Sequence, residues 1–153
     1  MISPGTGGMK IKVRVSRMWR GKVLKPVQRY DGLGCVLVDQ YGDSIHAVVM
    51  EADTEDVLSN MAEGPVYEIS KFRIMKNQES HQVVPHTAQL QFINKTVFKL
   101  MREELPAIPI HCFNLLDYSE LPTRNKKDTI LTDIIGLIKE MHQVEDTLVY
   151  YVG

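Results

Sequence analysis

Three strand-like runs, one short helix-like run and two more strand-like runs follow one another between Met9 and Arg102. That order predicts an all-β fold: a five-stranded Greek-key barrel of the OB type, with its short helix between the third and fourth strands. Two further observations agree with it. Apolar residues recur with period two in the first run, and Gly-containing turns separate the runs.

The first strand is read from Lys10 to Met18. Ile11, Val13 and Val15 point one way, and Lys10, Lys12, Arg14 and Ser16 the other, which is the pattern of a half-buried strand. From Arg17 to Gly32 the period is lost, and Gly21, Pro26, Asp31 and Gly32 indicate a long loop or a loop with a ragged strand end. Cys35–Asp39 and Ser44–Met50 are the next two strands. Gln40-Tyr41-Gly42-Asp43 between them is a tight hairpin turn, with Gly42 supplying the positive φ.

The acidic segment Glu51–Glu63 follows. Thr54 is placed to cap a short helix that carries Glu55 and Asp56 in its first turn and Val57, Leu58 and Met61 on its apolar stripe. Gly64-Pro65 ends it. Val66–Met75 reads as one long strand, His81–Val84 as a short extended piece ended by Pro85, Gln89–Ile93 as a strand and Thr96–Met101 as another extended piece. From Glu103 the character changes. Pro106 and Pro109 mark an extended linker, Phe113–Leu121 an apolar strap, and Ile130–Lys139 and Thr147–Val152 two apolar strand-like runs.

These features divide the chain into a leader at 1–8, a barrel domain at 9–102, a linker at 103–129 and a strand-rich tail at 130–153. The leader, MISPGTGG, has nothing to pack and is expected to be disordered or foreign, with Met9 as a plausible start. The tail strands lack enough following chain to complete a second barrel. They are expected to fold back on the first domain, to pair with a second copy or another protein, or to belong to a longer chain.

Composition sets the outer limits. A chain of 153 residues with 44% hydrophobic and 24% charged residues suits a globular domain with a real core. Cys35 and Cys112 lack metal-ligand spacing and read as buried thiols in a reducing compartment. No apolar run approaches the roughly 20 residues that span a bilayer, and no secretory signal is evident. No phosphate loop, paired-carboxylate constellation or nucleophile motif appears, so neither an enzyme nor a cofactor is expected. His81 and His86, or His111 beside Cys112, do not make a zinc site. Glu51, Asp53, Glu55 and Asp56 read as helix N-terminal charge.

The net charge of −1 hides an asymmetry. Between Lys10 and Arg29 stand eight basic residues and no acidic one. Such a block suits a polyanion. It equally suits a solvated edge strand that blocks unwanted pairing.

The residues also carry a family resemblance. KVRVSRMWR, CVLVDQYGDSIHAVV, GPVYEISKFRI and AQLQFINKT, in that order, resemble the first single-strand-binding OB domain of the replication protein A large subunit, its plant-type relatives most of all. FNLLDYSELPTRNKKDTILTDIIGLIK is similar to the linker leading into that family's second domain, whose first strand DIIGLIK resembles. The resemblance implies a nuclear, non-catalytic module that binds single-stranded DNA (or RNA) during DNA replication, repair or recombination.

In that family two aromatic rings stack on bases, and basic groups line the groove. Here the resemblance places Met50 and His81 at the stacking positions and His46 at the position of a groove arginine. Arg14, Arg17, Trp19, Arg20, Lys22, Arg29 and Tyr30 would supplement them from the first strand and first long loop, and Lys71, Arg73 and Lys76 from the fourth strand. Trp19 and Tyr30 have an alternative role in closing the barrel end. Because neither stacking position holds Phe, Tyr or Trp, the resemblance leaves a second function open: a protein-interaction module that has lost strong nucleic-acid binding.

Overall fold

In the computed structural model the described residues are 8–23, 29–78, 82–102, 108–125 and 127–142, and the side chains of residues 22, 23, 29 and 30 lie outside that description. β1 (Lys10–Val23) is longer than its alternating pattern suggests and pairs with β2 (Arg29–Val38) from Arg14↔Val38 to Val23↔Arg29. The expected loop at Arg17–Gly32 is therefore mostly strand. Glycine made the segment look irregular, but glycine also marks a bulge, and the β1–β2 register shifts twice, between Val15 and Arg17 and between Arg20 and Lys22.

The first shift matters most. Strict alternation would put Arg17 and Trp19 on the face of Val13 and Val15. Ser16 is the extra residue, and it changes the phase. Met18, opposite Cys35, packs against the core, so Arg17, opposite Val36, and Trp19, opposite Gly34, emerge on the other face.

The hairpin from β2 to β3 (Ser44–Val49) forms as expected. Gly42 has φ 81°, and the Asp39 carboxylate accepts the amides of Tyr41 and Asp43. A 3-10 turn at Glu51–Asp53 runs into α1 (Thr54–Leu58). Thr54 is not the cap. It lies inside the helix, fully buried, and its hydroxyl donates 3.0 Å to the Met50 carbonyl. Thr54 already has helical backbone angles (φ −63°, ψ −43°), whereas a cap lies outside the helix, and bonding back four residues satisfies its hydroxyl instead.

The single fourth strand expected at Val66–Met75 is two, β4 (Val66–Ser70) and β5 (Arg73–Lys76), broken where Lys71 takes φ 59°. β6 (Ala88–Phe92) and β7 (Val97–Leu100) complete one sheet in the order β5-β6-β3-β2-β1-β4-β7. Among the described residues the count is thus seven strands, not five. β4 and β5 are neighbours in the chain but lie well apart in the sheet, so the sheet must curl. The result is a mostly β half-barrel with one small helix, as an OB-type fold requires.

Inside the curl Val15, Leu37, Ile69, Leu90 and Phe92 are fully buried, with Val57 and Met61 packing in from α1 and the turn after it. Each such apolar side chain contributes roughly 1.5–3 kcal/mol by leaving water. Burial also pushes the Cys35 thiol up to about 12.

The tail departs from expectation. Ile130–Lys139 is not a strand. Ile130 and Asp133 make isolated bridges to Gln82 and Leu115, and Ile135 beyond them is 87% exposed. Among the described residues no long strand pairs with it, so the apolar run completes no ladder there. Thr147–Val152 lies outside the described residues.

Candidate nucleic-acid interface

The register defines what stands together on the outer face of the sheet. One row runs Trp19, Gly34, Val48, Gln91 and Arg73, across β1, β2, β3, β6 and β5. On the same five strands, two residues further along each, come Arg17, Val36, His46, Gln89 and Met75. Strand spacing of about 4.8 Å makes this a strip some five strands wide.

Trp19 is the centre of it. Its indole lies across Gly34, where an added Cβ would come within 2.5 Å of the ring, so only glycine leaves space for it. Beneath, the His46 imidazole stacks on the indole at 5.4 Å between centroids and 22° between planes. Gln89 holds that imidazole in turn, its amide 3.1 Å from Nδ1. Trp19 nevertheless remains 37% exposed. A large aromatic plane, backed by a second ring and still open to solvent, is the chemistry of a stacking platform.

The other expected residues differ in placement. Met50 is exposed at the end of β3, and Arg73 is exposed on the Trp19 row. His46 is 4% exposed and backs Trp19, so it does not stand open in the groove. Lys71 and Lys76 are exposed but fall off the strip, Lys71 at the corner between β4 and β5, and Lys76 alternating onto the side of Ile74.

The arginines of β1 are engaged. Arg20 lies opposite Leu33, not on the Trp19 side, and its guanidinium meets Glu51 at 2.9 Å and Glu55 at 3.9 Å. The second Glu51 oxygen accepts the Gly32 amide at 2.9 Å. Arg14 donates to the carbonyls of Gly64 (2.7 Å) and Ile108 (3.1 Å). Arg17 pairs with Asp133 at 3.6 Å, with Phe113 lying 5.7 Å beneath its guanidinium. Lys22, Arg29 and Tyr30 have backbone positions only, at the far end of the β1–β2 ladder. His81 lies outside the described residues.

Sequence reasoning missed Gly34, Gln89 and Gln91. Gln89 and Gln91 alternate with the core residues Ala88, Leu90 and Phe92, and that alternation was a usable signal. Gly34 had none, because its role depends on which residue faces it. Among the described residues no cluster of side chains suits a metal ion, and no helix is long and apolar enough to cross a membrane.

Comparison with known proteins adds the family. Residues 1–119 match the model of the family described as domain of unknown function DUF223. No curated protein matches the chain. Among solved structures, a chain of the replication protein A heterotrimer bound to ssDNA has a similar fold, with a TM-score of 0.60 and 19% identity over 81% of this chain. This chain spans 28% of that one. DNA binding domain A of S. cerevisiae replication protein A aligns over 63% of this chain and 84% of its own, with 21% identity and a TM-score of 0.44. With 119 of its 153 residues under one family model, the chain belongs to the DUF223 family, on an OB-type fold of the replication protein A kind.

Proposed function

We propose that the chain is a single-stranded DNA-binding module of a replication protein A large-subunit-like protein. It acts in the nucleus, in replication, repair or recombination, and its plant-type resemblance points to a plant source. It binds without catalysis. The observation that carries this reading is Trp19, an open ring seated over Gly34 and backed by His46, on a row that ends in Arg73. Stacking on such a ring is sequence-tolerant, because every base has a π-face, and is worth about 1–3 kcal/mol per base. We read the strand order as a Greek-key barrel whose fourth strand is bent into β4 and β5. The parallel β3–β6 and antiparallel β1–β4 pairings support that reading.

Trp19 is the only tryptophan, so its emission reports on the site directly. Titration with a dT oligomer should quench it, with an affinity that falls steeply between low and moderate salt. An equal response to an rU oligomer would widen the ligand to RNA. No binding at low salt would overturn the proposal in favour of the second reading, a protein-interaction module. That reading is favoured by a specific observation: Arg14 and Arg17 already hold partners from within the chain.

A further inference from the structure

The face that carries Trp19 is shared with the chain's own C-terminal segment. Ile108 is buried against Val36, Val38 and Val84, on the outer side of β2. The Arg14 guanidinium donates to its carbonyl. The Cys112 thiol donates to the Gly42 carbonyl at 3.2 Å. Farther along, the Leu131 amide donates to the Gln82 carbonyl at 2.8 Å, and Arg17 meets both Asp133 and Phe113. These interactions draw residues 108–125 and 127–133 to the Arg14–Arg17 end of the strip, beside a Trp19–Arg73 row whose two end residues are exposed.

What reaches Arg17 is chemically specific. A carboxylate sits on one side of its guanidinium and an aromatic ring lies against its face. A nucleotide brings the same two groups, an anionic phosphate and a flat π-system. Asp133 is itself held in place by the Asn114 amide, 3.0 Å from its second oxygen, so the carboxylate is presented rather than loosely tethered. The two partners sit on segments that this bond and the Leu115–Asp133 bridge tie together.

We infer that Asp133 and Phe113 are a built-in competitor, which occupies Arg17 as a mimic of one nucleotide and gives it up when single-stranded DNA binds. This inference rests on the DNA-binding reading of the face. Its scale is modest. A part-exposed ion pair is a weak interaction, so release changes affinity by about two- to fivefold. That suits a tunable cover better than a lock.

The test uses the full 153-residue chain. Asp133→Asn removes the charge but keeps an oxygen for the Asn114 amide, and Phe113→Ala removes the ring from an exposed position. Each should tighten binding of a dT oligomer by about two- to fivefold. Asp133→Asn should also steepen the log–log salt slope by about 0.7, the signature of one more phosphate neutralised on a single strand. In an Arg17→Ala background both effects should vanish. If the parent binds dT and neither substitution changes affinity, the competitor is overturned while the DNA-binding reading stands. Tightening that persists without Arg17 overturns it as well, since it would be a general effect of charge. If neither the parent nor the Asp133→Asn/Phe113→Ala double variant binds at low salt, both readings fall.

Discussion

Trp19 and His46 lie on neighbouring regions of the same face, though β2 runs between their strands, and their rings stack at 5.4 Å and 22°. The indole reaches over β2 to do so, and Gly34 is what lets it pass. Stacking surface on this face is therefore built from three strands, with the exposed ring on one and its support on another.

Removing the indole is the direct probe. Trp19→Ala should weaken dT binding by about 1–3 kcal/mol, the scale of one stacked base. Because the ring is part-exposed, stability should fall by less than for a core aromatic, whose truncation costs about 3–5 kcal/mol. Anisotropy titration and urea denaturation of the same variant separate the two effects.

Gly34→Ala should displace the ring without removing it. The new methyl would stand 2.5 Å from the indole, which must swing outward. Tryptophan emission should shift to longer wavelength, dT affinity should drop, and stability should fall by about 1–3 kcal/mol, the range of an overpacked site. Unchanged emission would show that the indole does not rest on Gly34.

Gly32→Ala should be the more damaging change, for a different reason. Gly32 has φ +90°, and a Cβ there would meet the Val49 carbonyl at 2.1 Å. Backbone cannot yield as a side chain can, so the conformational strain and the clash add to a loss of about 3 kcal/mol or more. Thermal unfolding of the two glycine variants, measured side by side, checks the ranking.

Cys35 gives a pH signature. Burial raises its thiol from 9.0 to about 12, so the folded chain holds this proton more tightly than the unfolded chain. The contribution is fully present below pH 9 and is lost as the pH rises toward 12, at up to about 1.4 kcal/mol per pH unit. Cys35→Ala, or Cys35→Ser, should flatten the alkaline fall in denaturant midpoint. A thiol-alkylating reagent at about pH 8, below the usual thiol range, should leave Cys35 unmodified in the native chain.

Much of the fold was legible in the chain. The β2–β3 hairpin followed from Gly42 and its neighbours, the helix from the Val57–Met61 spacing, and the first half of β1 from the alternation of Ile11, Val13 and Val15. The split of the fourth strand was not. Lys71 adopts a positive φ that its residue type gives no reason to expect, at the corner where β4 ends and β5 begins.

The site was legible as a set of residues but not as an arrangement. Trp19, Arg17 and Arg73 follow from type and position, yet alternation alone would turn Arg17 and Trp19 inward. Arg20 belongs with them by charge, although Glu51 holds it on another side.

Residue types and local periodicity act within one strand, so the sequence by itself determined most strands and turns between Cys35 and Phe92 and the basic charge of the first strand, but not the length of β1, the break at Lys71 or the lack of a strand at Ile130–Lys139. Which of those basic groups stay open, which ring lies on which glycine, and where the phase reverses at Ser16 are properties of pairs of strands. They depend on register and on contacts between residues far apart in the chain, such as Arg17 with Asp133 and Trp19 with His46, and only the tertiary structure decided them.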